Sequence, residues 1–220
     1  MRLRWMALWL VLSLLIGCTV AGIAQEQADT PKDDAPPNQI KGKTVAFTLL
    51  KPEGWQSRTY EKLEEAPNAK MIVQGGLGKF LGEDAKFTDN HNLWWSPAGE
   101  NMMTGLASFH RIELKTTLDL ATTLAVFQQS PNLPAGMEIK PAQLGKYVGL
   151  LGGGVVRDMF YAAVVLIPGD KVLYVSSVLG PKAQIAPQWA NYMKLVASLN
   201  APDLKPQKLK DVFGDETDTK

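Results

Sequence analysis

The sequence predicts an α+β domain, an antiparallel β-sheet with helices packed on it, and three observations carry that prediction. Short apolar runs, alternating or continuous and bounded by Gly/Pro-rich turns, read as strands through the middle of the chain. Two stretches change to a three- and four-residue period, as amphipathic helices do. Their order is strands, helix, strands, helix, with no regular βαβ alternation, which lays the helices on an antiparallel sheet.

In chain order, Val45, Phe47 and Leu49 alternate with Thr44, Ala46 and Thr48 up to Pro52-Glu53-Gly54, predicting a first strand. Trp55 is expected to fold back onto the core edge. Residues 58–60 read as a short second strand, 61–68 as a polar excursion and 71–74 as another strand. Residues 93–96 and 103–114 form an expected hairpin around Pro97-Ala98-Gly99-Glu100-Asn101. Leu120, Leu124 and Phe127 fall at i, i+4 and i+7, predicting a helix over 116–129, with Thr116-x-x-Asp119 as a capping box and Pro131 as its stop. The glycines at 149 and 152–154 read as a tight turn between strands at 146–151 and 155–167. The valine-rich run from 160 to 167 predicts a strand buried on both faces, with 172–179 returning beside it after Pro168-Gly169-Asp170-Lys171 as the centre of the sheet. Ile185, Trp189, Met193, Val196 and Leu199 predict a closing helix that ends before Pro202.

The N-terminus carries Arg2 and Arg4, then an apolar run from 5 to 16 broken by Ser13, then small residues. That is the pattern of a secretory leader, too short for the ~20 residues a spanning helix needs. Leu15-Ile16-Gly17-Cys18 resembles the bacterial lipoprotein signal, in which the cysteine is acylated and becomes the new N-terminus; Gly22-Ile23-Ala24 before Gln25 is a competing ordinary cleavage site. Cys18 is the only cysteine, so it has no internal disulfide partner in an exported chain, and acylation would remove a free thiol. The expected organisation is a signal peptide over 1–17, a disordered tether over 18–41 rich in proline and charge, a folded domain over 42–201 and a charged tail over 202–220. The implied partner is a lipid bilayer held through acylated Cys18. Thr19, where an aspartate resembles an inner-membrane retention signal, favours the outer membrane of a two-membrane cell.

Composition excludes some classes. With 23 Lys+Arg against 22 Asp+Glu the net charge is +1, and loss of Arg2 and Arg4 takes it to −1, so no basic field exists to hold nucleic acid. At 45% hydrophobic residues the domain can build a core without disulfides.

No motif points to catalysis, a cofactor or a metal. Gly75-Gly76-Leu77-Gly78-Lys79 lacks the first glycine and the Ser/Thr of a phosphate loop, with Val73 and Phe80 at those positions. The histidines are His91, in the loop-like Asp89-Asn90-His91-Asn92, and His110, mid-strand; neither has metal-ligand spacing, and Ser176-Ser177 lies in no Gly-x-Ser-x-Gly elbow. His91 is read as a solvated loop residue. Trp94-Trp95 is the feature most suggestive of binding: on a strand adjacent side chains face opposite ways, so either one indole packs inward while the other, with Met102 and Met103 nearby, offers a partner patch or a small apolar pocket, or the sheet is covered on both sides and both indoles are buried.

Several stretches together resemble the PsbP-like α/β/α sandwich superfamily, and within it the DcrB-type bacterial lipoproteins. They are the Gly42-Lys43-x-x-x-Phe47 start, the Pro52-x-Gly54-Trp55 turn, the helix after Thr116, the strand over 145–151, Asp170-Lys171-x-x-Tyr174 and the closing helix to Ala197-Ser198-Leu199. The likeness covers roughly residues 42–200, and the stretch from 61 to 92 is longer than the pattern. It implies a generally non-enzymatic domain with binding or assembly work. The expectation is a lipid-anchored envelope protein that engages another envelope protein; the alternative is a periplasmic carrier of a small apolar ligand or lipid. The oligomeric state is not legible.

Overall fold

The computed structural model describes residues 38–67, 81, 85–128, 137–156 and 159–214. The leader with its lipobox, the expected strand over 71–74 and the glycines of 75–79 lie outside the described residues.

Among the described residues, nine strands form two antiparallel sheets. β1 (Gln39–Lys41) and β2 (Thr48–Leu50) make a small ribbon, and β3 (Gln56–Tyr60), β4 (Lys86–Trp94), β5 (Leu106–Glu113), β6 (Glu138–Leu144), β7 (Tyr147–Val156), β8 (Phe160–Gly169) and β9 (Val172–Pro181) make a seven-stranded sheet in the order β3-β4-β5-β9-β8-β7-β6. Two meanders, β3–β5 and β6–β9, are joined by the β5–β9 pairing. Among the described residues, the α-helices whose extent is described are α1 (Leu120–Gln128), α2 (Lys182–Ile185), α3 (Trp189–Ala197) and α4 (Leu209–Phe213). This is the predicted α+β class.

The sheet is covered on both faces. On one, Ile185, Tyr192, Leu195, Val196 and Leu199 pack with Phe47 and Leu49 onto Phe109, Val165, Ile167 and Tyr174. On the other, Leu120 and Leu124 of α1 and Leu209, Val212 and Phe213 of α4 pack against Ile112, Leu150, Leu166, Leu173 and Val175. Strand residues paired across a ladder share a face, so the register assigns each side chain to one layer. As expected, β8 and β9 are central, with Val165, Leu166 and Ile167 all buried although they point to alternate faces.

Several expectations are corrected. Gly149, Gly152, Gly153 and Gly154 form no turn; they lie within β7, and the turn that precedes it is Gly145-Lys146, where Gly145 adopts φ +63°. The glycines answer a crowded sheet: a Cβ on Gly149 would sit 2.3 Å from the Leu166 carbonyl oxygen, and one on Gly152 would sit 2.7 Å from Ile139 Cγ1. The strand β6 is unanticipated, because Pro141 interrupts its pattern; it is tolerated there because β6 is an edge strand. The helix expected over 116–129 begins at Leu120, because Asp119 is itself the cap: its Oδ2 accepts from the Thr122 N–H at 2.7 Å. Order also reaches beyond 42–201 at both ends. Ile40 of β1 is buried in the core opposite Leu49, while Ala201 and Leu204 are buried and α4 lies in the expected tail. Within the expected polar excursion, Leu63 and Ala66 are buried against Tyr60.

Gly149→Ala tests the crowding directly. A turn glycine with φ < 0 would tolerate alanine, whereas the strand position predicts a loss of about 1–3 kcal/mol in urea denaturation. No loss would return these glycines to a turn.

Candidate functional site

The structure concentrates buried polar side chains in β4 and β5. Asp89, Asn90, His91 and Asn92 are each at most 1% exposed, as are Ser108 and His110. The reading of His91 as a solvated loop residue is therefore overturned: it lies mid-strand between β3 and β5, paired with Thr59 and Phe109. Its Nδ1 is 2.9 Å from Thr59 Oγ1 and its ring meets Phe47 edge-on, on the α3 face. Asp89, two residues away on the same face, accepts from the Lys43 N–H at 2.6 Å.

The opposite, α1 face carries a continuous polar stripe. Asn90 lies opposite His110 on one side and Tyr60 on the other; Asn92 lies opposite Ser108 and Arg58; Ser108 lies opposite Ser177 of β9. His110 Nδ1 is 3.1 Å from Asn90 Oδ1, and the Ser108 and Ser177 hydroxyls are 2.7 Å apart. With Asn90 Oδ1 as acceptor, the imidazole carries its proton on Nδ1 and presents a bare lone pair on Nε2. Phe87 closes one flank, edge-on to His110 at 5.9 Å. Tyr60 donates a short hydrogen bond to Glu100 Oε2, fastening the loop after β4, and the Arg58 guanidinium lies 5.2 Å over the Tyr60 ring.

Five buried atoms of this group have no hydrogen-bond partner among the described residues: Asn90 Nδ2, both side-chain polar atoms of Asn92, His110 Nε2 and Glu100 Oε1. Each such group costs roughly 1–3 kcal/mol, so five together would cost on the order of 5–15 kcal/mol, as much as the whole stability of an ordinary domain. The stripe also changes character along its length. Asn90 and His110 are shut in, whereas Trp94, Ser177, Leu179 and Ala162 on the same face are only half-buried. The face is closed at the Phe87 end and approachable at the Trp94 end.

The sequence-predicted residues divide between the layers. Trp94 lies on the α1 face at the end of the stripe, its Nε1 donating to Gln56 Oε1 at 3.1 Å. Trp95 packs toward the α3-face core against Trp55, with ring centroids 4.7 Å apart, and lies so close over Gly105 that a Cβ there would meet its ring at 2.3 Å. Met102 is half-buried beside Gly180, and Met103 is 62% exposed. The four do not converge on one surface. An open cleft of about 350 Å³ lies at the sheet edge, lined by Gln128, Met137, Glu138, Ile139 and Lys140. Among the described residues no three His, Cys, Asp or Glu side chains are grouped as a metal would need, and no helix is long and apolar enough to cross a membrane.

Burial lowers both histidines, His91 to about 4 and His110 to about 3, with the nearby Lys43 charge adding to the first and His91 to the second. Burial raises the Glu100 carboxyl, against the hydrogen bond from Tyr60 and the Arg58 charge.

No protein-family profile matches the chain, and no curated protein matches it. Among solved structures it is similar to LpqN, described as involved in cell envelope biogenesis of Mycobacterium tuberculosis, at 16% identity and a TM-score of 0.40, covering 79% of this chain and 90% of that one. It is also similar to a protein of Bacteroides thetaiotaomicron at 10% identity and a TM-score of 0.40, covering 70% of this chain. The match spans less than half, 44%, of the Bacteroides chain.

The histidines set an acid limit. The folded chain keeps them neutral while the unfolded chain protonates near pH 6.5, so their contribution is complete above that value and falls as pH drops toward 4 and then 3. Each adds a slope of up to ~1.4 kcal/mol per pH unit. Unfolding in urea between pH 7 and 4.5 is expected to show this slope, reduced by about half in His110→Gln, whose amide can still bond Asn90. An unchanged slope would contradict the assignment.

Proposed function

We propose that this is a non-enzymatic binding protein of the cell envelope, lipid-anchored through Cys18, whose domain takes a polar ligand at the Trp94 end of the stripe formed by Asn90, Asn92, Ser108, His110 and Ser177. The observation that carries the binding reading is that, of nine buried polar atoms without a partner among the described residues, four belong to Asn90, Asn92 and His110 on one face of β4 and β5, with Glu100 Oε1 beside them through its bond to Tyr60. A domain that keeps such groups dry loses stability; one that presents them to a ligand recovers their hydrogen bonds. The anchor rests on the Leu15-Ile16-Gly17-Cys18 sequence and the tether after it. Membership of the PsbP-like superfamily belongs to the same proposal, supported by helices on both faces of an antiparallel sheet.

The non-enzymatic reading is supported by the placement of the histidines on opposite faces of the sheet, where they cannot act on one substrate atom. The polar stripe also shifts the carrier alternative: a lipid or other apolar ligand would bury Asn92 and His110 without partners.

Two measurements test the proposal. Protein purified from membranes should have lost residues 1–17 and gained acyl mass on Cys18, and Cys18→Ala should be soluble and unmodified; a chain beginning at Gln25 would remove the anchor. Gentle purification followed by denaturation and mass spectrometry should release a polar small molecule near one per chain, absent from Asn92→Leu. Equal release from both proteins would move binding off the stripe.

A further inference from the structure

At one end of the large sheet β4, β7 and β9 stop and β5 and β8 start. That end presents two of the three exposed large apolar side chains of the described residues, Met103 at 62% and Met159 at 69%. We propose that it rests on the lipid surface to which Cys18 is anchored, with Met103 and Met159 in the headgroup layer; this rests on the anchor reading and not on the polar stripe. Three observations carry it.

The first is that both methionines are held outward by their backbone. Met103 lies in a short turn over 102–104, where its N–H donates to Asn101 Oδ1 at 2.8 Å and Thr104 Oγ1 donates to the Asn101 carbonyl at 3.0 Å. The turn is pressed onto the end of β9, so that a Cβ on Gly180 would sit 2.6 Å from Gly105 Cα. On the other flank of β9 the Met159 carbonyl accepts from the Lys182 N–H at 2.7 Å. Half-buried Met102, Phe160 and Leu179 widen the apolar surface between them. Two fixed backbones that leave both thioethers in water gain nothing from those side chains until something covers them. Trp94 takes no part, since its indole belongs to the α1 face and bonds Gln56 there.

The second is the direction from which the chain enters the domain. β2 starts beside Asn200, whose side chain binds Lys146 in the β6–β7 turn at the far end of the sheet. The chain then runs on to Trp55, which packs on Trp95 just after β4 and donates to Gln188 Oε1. β1 is antiparallel to β2, so the chain reaches Gln39 from the Met103 end. About twenty residues separate Cys18 from that point, and a polar tether of that length spans ~25 Å. The anchor thereby brings this end of the sheet, ahead of the other, within reach of the bilayer. Tethering holds the two surfaces at a high effective concentration, where a contact too small to retain a free domain is sufficient.

The third is charge. The connections at the Met103 end carry Lys51, Arg157 and Lys182 against Glu53, Glu100 and Asp158, so the signs cancel. The contact is therefore apolar and does not depend on anionic lipid or on salt. The opposite end exposes Lys115, Lys146, Asp170 and Lys171, and no exposed large apolar side chain of the described residues lies among them.

The test is the depth of a fluorescent label on the acylated full chain, reconstituted in vesicles of phosphatidylcholine alone and of phosphatidylcholine with phosphatidylglycerol. Acylation consumes Cys18, the only cysteine, so Met103→Cys, Met159→Cys and Lys205→Cys each offer one free thiol for a nitrobenzoxadiazole label. Lys205 is exposed at the opposite end, two residues after Asp203, which binds Arg111 and Tyr174. Each variant is checked for native melting, acyl mass and flotation with the vesicles. Labels at 103 and 159 are expected to emit to the blue of the label at 205, to resist quenching by aqueous iodide and to be quenched by lipids with a nitroxide near the headgroup. The result should be the same in both vesicles and at high salt. If an acylated, vesicle-bound chain shows labels at 103 and 159 that behave like the one at 205, the docking is overturned and the anchor stands. Labels shielded from iodide but untouched by nitroxide lipids place another protein or a second copy on this end, which also overturns it. A chain that carries no acyl mass and does not float removes the anchor, and the docking with it.

Discussion

The β5–β9 ladder is the contact on which the fold depends. Its eight residue pairs, from Leu106 opposite Leu179 to Glu113 opposite Val172, join the two meanders edge to edge, and Phe47 packs across the joint on Phe109 and Tyr174. Arg111 and Tyr174, opposite one another on this ladder, both bind Asp203: Arg111 Nε at 3.0 Å and the Tyr174 hydroxyl at 2.7 Å. The same pairing thereby fixes the segment after α3, where Ala201 and Leu204 are buried. Arg111 is nearly enclosed, so separating it from its carboxylates would leave an uncompensated buried charge, a loss of about 3–5 kcal/mol.

The two meanders do different physical work. β7, β8 and β9 supply most of the aliphatic residues that the large sheet itself buries, with glycines where neighbouring strands and side chains press closest. β4 and β5 instead carry Asn90, Asn92, Ser108 and His110 into positions where Val or Leu would pack without loss. A sheet stabilised by its aliphatic half can carry a costly polar half, and that conflict between packing and polarity is the feature from which the functional reading grows.

Much of the fold was legible in sequence where one physical reading was available. The valine-rich run of β8 is too apolar for any exposed element, and the i, i+4 spacing of Ile185, Trp189 and Met193 has no strand equivalent. The glycines of β7 were not legible, since turns and crowded strands share a composition and differ only in what lies across from them, here the Leu166 carbonyl and Ile139. β6 hides behind Pro141 and the exposed Glu138, which only an edge strand tolerates. For the site, the separation of Trp94 and Trp95 onto opposite faces was legible from the strand period, but Asp89-Asn90-His91-Asn92 has the composition of a turn. Its burial comes from β3 and β5 on either side, and the only local signal is that Phe87 and Leu93 bracket it with strand-forming residues.

The central claim is that Asn92 is kept polar for binding at the expense of stability. It is tested most directly by the unfolding free energy of Asn92→Leu, a near-isosteric change, in urea at pH 7. Because both polar atoms of Asn92 lack partners, the account predicts that the variant is more stable than the parent by about 1–3 kcal/mol. A variant less stable than the parent would mean that the folded protein already satisfies Asn92, and the stripe would then be structural.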